Sequence, residues 1–173
     1  MDWTIIFPII YITILAFLGW IIWPALIGAI FVPTPKLKVE QMLELADLKT
    51  TDILYDIGSG DGRIIIEAAR KYGVKAVGIE ADPLRVLWSK LRIIKAKCRD
   101  RVIVRWGNFF RADIKDATVV TVFQSETINY KLKKKFENEL EPGTRIVSYT
   151  YPILGWRLEK KHPNARIYLY IRP

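Results

Sequence analysis

The sequence predicts an α/β domain with a largely parallel, doubly wound sheet, and two observations carry that prediction. Short apolar runs at 53–55, 76–80, 102–104 and 119–123 alternate with stretches whose apolar residues recur at helical spacing. The first run also leads into a glycine-rich turn, Asp56-Ile57-Gly58-Ser59-Gly60-Asp61-Gly62-Arg63, after which Ile64, Ile65, Ala68 and Ala69 mark the buried face of a helix. Strand, glycine turn and helix in succession open a nucleotide-binding α/β unit. The glycines let the backbone turn sharply and a ligand come close. The helix N-terminus offers free N–H groups to an anionic moiety.

The 173 residues have room for one domain of ordinary size. The single cysteine, Cys98, excludes an internal disulfide; set among Lys95, Lys97, Arg99 and Arg101, it is expected at the surface near a helix end. No cluster of Cys, His and carboxylates has metal-ligand spacing, so no metal is expected. The formal net charge of +9 calls for a partner or surface of opposite sign, whether nucleic acid, anionic lipid or acidic protein.

Between Asp2 and Lys36 there is no charged residue. Residues 3–23, framed by Trp3 and by Trp20 and Trp23, are expected to span a membrane as one helix that Pro24 kinks or ends. A secretory signal would carry a positive n-region, which is missing here. Lys36, Lys38 and the basic sequence beyond place the C-terminal side in the cytoplasm or an organelle matrix. Val32-Pro33-Thr34-Pro35 marks the boundary, dividing the chain into an anchor (1–31) and a catalytic domain (32–173). A short amphipathic helix follows over 37–48.

Beyond the glycine turn, Ala76–Glu80 reads as a second buried strand. Its terminal Glu80 lies where an acidic side chain accepts bonds from ribose hydroxyls. Pro83 starts a helix with Leu84, Leu87, Trp88, Leu91 and Ile94 on one face, taken as the inward one. Strands at 102–104 and 119–123 precede Gly107-Asn108-Phe109-Phe110 and Gln124-Ser125-Glu126 respectively. Residues 128–140 form a basic amphipathic helix with Ile128, Leu132, Phe136 and Leu140 inward and Lys131, Lys133, Lys134 and Lys135 mainly outward. Pro142-Gly143 turns into a strand over 145–151, and 155–161 with 165–172 form a closing hairpin. There is no internal repeat.

The glycine spacing, G-x-G-x-G with an acidic residue two positions upstream, differs from the dinucleotide fingerprint G-x-G-x-x-G. It resembles the first motif of seven-strand S-adenosylmethionine-dependent methyltransferases. The order of Val32–Pro35, Asp56–Arg63, Ala76–Glu80, Gly107–Phe110, Val119–Phe123, Leu132–Ser148 and Gly155-Trp156 narrows the likeness. The chain is similar to the seven-strand protein-lysine methyltransferases: a broad-specificity archaeal enzyme and membrane-anchored mitochondrial relatives acting on the ATP synthase c-subunit and the adenine nucleotide translocase.

That resemblance implies a Rossmann-like class I methyltransferase fold, a seven-stranded, mostly parallel sheet with an antiparallel edge hairpin. It implies S-adenosyl-L-methionine as cofactor, with Asp56, Gly58, Gly60 and Gly62 around the methionine moiety, Glu80 at the ribose and Asn108 and Phe109 at the adenine. Thr34 would fold over the cofactor. Phe110, Phe123, Gln124, Tyr149 and Tyr151 would line an acceptor channel, in which Gln124 and Ser148–Tyr151 depart from the archaeal pattern. The implied reaction is in-line methyl transfer to a lysine of a protein substrate, membrane proteins included, with no general base assigned. Two alternatives stand beside it: a membrane-soluble small-molecule acceptor, and a non-catalytic basic module tethered to lipid or nucleic acid. On the enzyme reading, nucleic acid is not an expected partner, and the first helix contacts membrane lipid.

Overall fold

A computed structural model describes the backbone of residues 3–26 and 32–173, without the side chains of residues 20, 21 and 23–26. The chain divides into two compact units, Met1–Phe31 and Val32–Pro173.

In the larger unit, β1 (Ile53–Ile57), β2 (Lys75–Glu80), β3 (Val102–Trp106), β4 (Val119–Val122), β5 (Arg145–Tyr149), β6 (Leu158–Lys161) and β7 (Ile167–Ile171) form one seven-stranded sheet, ordered β3-β2-β1-β4-β5-β7-β6. The first five in that spatial order are parallel, while β7 runs antiparallel to both β5 and β6. The chain winds outward from β1 through β2 to β3, then returns to lay β4 on the other side of β1. This reversal opens a crevice at the C-terminal ends of β1 and β4, where ligands of open α/β sheets bind.

Both faces of the sheet are covered, which is why the central strands read as continuous apolar runs. On one face lie α2 (Lys36–Leu45), α3 (Arg63–Tyr72) and α4 (Pro83–Lys95), joined in a core with Met42, Leu43, Ile65 and Val119. On the other lies α5 (Glu126–Glu139), whose Leu132 and Phe136 pack with Tyr55, Ile79 and Ile114. At the end of the sheet remote from the crevice, one arginine gathers several elements. Arg145 Nη1 donates to the carbonyls of Ala46 (2.7 Å) and Asp47 (2.6 Å), and Nη2 pairs with Asp52. Asp52 also accepts from the Lys49 N–H and the Thr118 hydroxyl.

The structure corrects several expectations. The large apolar residues of α4 face out: Leu84, Leu87, Trp88, Leu91 and Ile94 are 48–58% exposed. Val86, Ser89 and Ile93 face the sheet instead. Small, branched side chains fit the close approach of this helix to β2 and β3. Lys135 also points inward, with its ammonium donating to the Ala112 carbonyl (2.6 Å) and the Glu139 carboxylate (2.6 Å), so its charge is paired where it is buried. Cys98 is buried rather than at the surface, its thiol directed at the Ile93 carbonyl beneath the turn that follows α4. The closing strands are shorter than expected, because Gly155–Arg157 and Ala165-Arg166 form turns and irregular chain.

In the smaller unit, α1 (Trp3–Leu26) has 24 residues and no charged residue at either end turn, and it runs past Pro24 rather than stopping there. The Thr13 hydroxyl donates to the Ile9 carbonyl (2.8 Å), so that polar group is satisfied within the helix. Among the described residues, no helix is long and apolar enough to cross a membrane, so the span expected over residues 3–23 is not found there. The side chains of Trp20 and Trp23, expected at an interface, and residues 27–31 lie outside that description.

The two faces of α4 differ in energetic weight. Ile93→Ala, 4% exposed in the parent, lowers unfolding free energy by about 2–4 kcal/mol, whereas Leu91→Ala changes it by about 0.5 kcal/mol or less. Urea denaturation of the two variants measures the difference.

Candidate active site

The crevice is built around the turn between β1 and α3. Gly58, Gly60 and Gly62 all have positive φ, at 78°, 54° and 77°. At Gly58 a Cβ would stand 2.4 Å from Gln124 Nε2, and at Gly62 it would stand 2.2 Å from Ser89 Oγ. Both positions need glycine for their conformation, and Gly62 also for space against the buried Ser89. Gly62 is also the N-cap of α3 and provides no side-chain acceptor for the first helical N–H groups.

Two carboxylates are buried beside this turn. Asp56, 4% exposed, accepts a hydrogen bond from the Thr121 hydroxyl of neighbouring β4 (2.8 Å). Burial pushes its carboxyl up to about 7; the Thr121 hydroxyl opposes the rise, and the Glu80 and Asp61 carboxylates add to it. Glu80, also 4% exposed, ends β2 and is fixed by backbone donors. The Gly60 N–H reaches one carboxylate oxygen (2.8 Å) and the Asp82 N–H reaches the other (2.9 Å). One bond to each oxygen leaves lone pairs for a ligand's hydroxyls.

Asp61 and Arg63 close the turn from the solvent side. Arg63 Nε and Nη2 donate to the two Asp61 carboxylate oxygens at 2.9 and 2.8 Å, and Arg92 of α4 pairs with the same group. Burial works to raise the Asp61 carboxyl, but the Arg63 hydrogen bonds and the Arg92 and Arg63 charges hold it below the usual carboxylate range. The remaining terminal nitrogen of Arg63 donates to the Thr34 carbonyl (2.7 Å). Thr34 is thereby buried, at 5% exposure, and the Pro33–Pro35 arm is held against the glycine turn.

The other expected residues separate into groups. The Asn108 side chain is exposed and accepts from the Phe110 N–H (2.9 Å), a local turn that leaves its amide nitrogen outward. Phe109 is a core residue at 4% exposure, whereas Phe110 is half-buried beside it, ring centroids 4.7 Å apart. Gln124 sits over the glycine turn and donates to the Ile57 carbonyl (3.3 Å). Phe123 and Tyr149, next to each other at the ends of β4 and β5, pack with ring centroids 4.6 Å apart and planes tilted by 53°, and Tyr151 is 40% exposed nearby in sequence. Between Tyr149 and Tyr151, Thr150 holds a positive φ of 71°, a strained conformation for a β-branched residue.

One further polar group stands out. Asn129, 1% exposed on α5, donates to the Ser148 hydroxyl (3.2 Å) and the Tyr151 carbonyl (3.0 Å). Its buried side-chain oxygen has no hydrogen-bond partner. A buried acceptor without a partner is suited to a ligand N–H. The sequence signal was an amide on the inward face of a helix, between Ile128 and Leu132. No comparable signal marked Arg63, whose contact to Thr34 spans 29 residues.

The glycine cradle, the pinned Glu80 and the buried Asp56 fit a nucleoside ligand with a cationic tail. Comparison with known proteins agrees. The ANTKMT methyltransferase domain model matches residues 56–160. A protein-lysine N-methyltransferase of Saccharolobus islandicus is 45% identical over 148 residues, covering 82% of this chain and 92% of that one. The human lysine N-methyltransferase of the ATP synthase c-subunit is 30% identical, and the match covers 73% of this chain but only 53% of the human protein, about half its length. The crystal structure of an RNA methyltransferase from Salinibacter ruber, in complex with S-adenosyl-L-homocysteine, superposes with a TM-score of 0.80 at 43% identity, over 82% of this chain and 94% of that one.

The Asp56 carboxyl gives a test with a defined sign. Because its folded value lies above its ordinary 3.8, it contributes stability at low pH that is lost as pH rises through about 7. Asp56→Asn is therefore expected to melt at a higher temperature than the parent at pH 8, with the gap narrowing below pH 7 and closing only near pH 4. The same variant binds S-adenosylhomocysteine about tenfold or more weakly, since a charged acceptor is removed. Thermal melts across pH and calorimetric titration measure both effects.

Proposed function

Given that the chain belongs to the ANTKMT methyltransferase-domain family and is an S-adenosylmethionine-dependent methyltransferase, we propose that it methylates lysine side chains of a protein substrate. The observation that carries this is the 45% identity to a protein-lysine N-methyltransferase across 92% of that relative. The unpartnered oxygen of Asn129, whose amide nitrogen bonds Ser148 and Tyr151 on either side of Tyr149 in the chain, supports it.

In this proposal Asp56, Gly58, Gly60 and Gly62 hold the methionine end of the cofactor, Glu80 the ribose diol, and Asn108, with Phe109 or its accessible neighbour Phe110, the adenine. Thr34 covers the site, held there by Arg63. When bound, the cofactor supplies an electrophilic methyl group on a cationic sulfur, open to in-line displacement by a neutral amine. The protein must deliver that amine deprotonated. For a lysine of ordinary pKa the cost at pH 7 is roughly 4.6 kcal/mol. Phe123 and Tyr149 desolvate the ammonium and lower its pKa. The Asn129 oxygen accepts an N–H and orients the nitrogen lone pair. Positioning of this kind supplies a large share of the rate. Gln124 and Tyr151 shape the rim.

We further propose that α1 anchors the chain in a bilayer. Apart from Ile6, its large apolar side chains from Trp3 to Leu18 are 46–64% exposed. The basic domain beyond then lies on the cytoplasmic or matrix side.

A second reading, methylation of RNA, is favoured by the net charge of +9 and by the Salinibacter ruber structure's description. One experiment separates these readings. The full chain is incubated with methyl-labelled S-adenosylmethionine and, in separate reactions, membrane proteins, ribosomal RNA and extracted lipid. Label on lysine in hydrolysed protein is expected; label confined to RNA or to the organic phase overturns the lysine assignment.

A further inference from the structure

We propose that the outer face of α4, together with edge strand β3, is a docking surface for an anionic lipid bilayer. This goes beyond the acceptor assignment and stands independently of α1.

The uncharged residues of α4 form two stripes on opposite sides of the helix. Val86, Ser89 and Ile93 meet the sheet. Leu84, Leu87, Trp88, Leu91 and Ile94 recur at the spacing of a single face and project outward, each about half exposed. Single exposed leucines are ordinary on a protein surface, but a continuous stripe of large apolar side chains marks a surface that is covered in use. The patch extends onto the neighbouring strand. Trp106 is 71% exposed, and its indole is fixed by its Nε1–H to the Ala81 carbonyl (2.9 Å). Tryptophan with one polar edge engaged and an apolar face outward suits the boundary between headgroups and acyl chains.

Charge selects the occupant. The helix has no acidic residue in its first turn and carries Arg92 and Lys95 in its last. Arg92 is committed to Asp61, but Lys90, Lys95 and Lys97 are exposed and have no ion-pair partner among the described residues, as is true of Arg99. The nearby Asp100 is paired with Arg101. Self-association through this face would press cations against cations without a carboxylate to receive them. A bilayer of anionic lipid supplies both an apolar layer for the stripe and phosphate for its rim, the arrangement of an interfacial amphipathic helix. Between α4 and β3 lies a cleft of about 330 Å³, with Ile93, Ile94, Val102 and Ile103 as apolar walls and Lys90 and Arg99 at its rim. Such a cleft accommodates part of an acyl chain beneath a phosphate headgroup.

The consequence for the enzyme is positional. α4 begins with Pro83, shortly after Glu80, so docking through it brings the cofactor crevice to the membrane surface.

The test uses the full chain carrying Cys98→Ser and one environment-sensitive fluorophore on a new cysteine. Leu91→Cys reports on the proposed surface, Asn138→Cys on α5 serves as the remote control, and Ile14→Cys reports separately on α1. Vesicles contain phosphatidylcholine alone or with phosphatidylglycerol, with or without spin-labelled acyl chains as quenchers. The label at 91 is expected to shift to the blue and be quenched on the anionic vesicles, while the label at 138 does neither. Lys90→Glu, Lys95→Glu and Arg99→Glu each weaken that response roughly fivefold, with circular dichroism confirming the fold. No response at 91, or an equal one at 138, overturns the proposal. A shift at 91 that depends on protein concentration without lipid assigns the face to a second copy and also overturns it. Quenching at 91 without quenching at 14 leaves the docking surface intact and removes the α1 anchor.

Discussion

The central constraint is the burial of two carboxylates, Asp56 and Glu80, at the ends of adjacent strands around a turn that only glycine can make. At Asp56 burial opposes ionisation, and the nearby Glu80 and Asp61 carboxylates add to the effect. Glu80 accepts from two backbone N–H groups and pairs with Arg85 at 3.9 Å, whereas Asp56 has one hydroxyl, and burial pushes its carboxyl up to about 7. A group left in that condition is destabilising in the free protein at alkaline pH and becomes useful once a cation arrives. Folding and binding therefore pull in opposite directions at Asp56, as expected where a site's electrostatics are set for its ligand.

The surrounding structure serves to hold that turn. Strand reversal at β1 and β4 leaves the crevice open. Arg63 and Arg92 converge on Asp61, and Arg63 also draws the Thr34 carbonyl inward, so the arm, the turn and α4 are tied to one carboxylate. At the opposite end, Arg145 does comparable work for α2, β1 and β4. Polar clamps lie at both ends of the strands, and the apolar core lies between them.

Much of this was legible in the sequence because it is local. The glycine turn, Glu80 at a strand end, and the strand–helix alternation are carried by residues near one another in the chain. The elements least legible were those whose meaning depends on what they face. Periodicity showed a stripe on α4 but not that the narrower stripe of Val86, Ser89 and Ile93 would turn inward. Lys135 looked like surface charge until Glu139 and the Ala112 carbonyl stood around it. Arg63 reaches Thr34 across a sequence separation that no local pattern reveals.

The account turns on Asp56 taking up a cationic ligand in its ionised form. Proton exchange during cofactor binding tests that directly, by calorimetric titration of S-adenosylmethionine at pH 7 in buffers of different ionisation enthalpy. With the carboxyl near 7 in the free protein, the parent is predicted to release about half a proton more per cofactor bound than Asp56→Asn. Equal proton release by the two proteins would contradict the account.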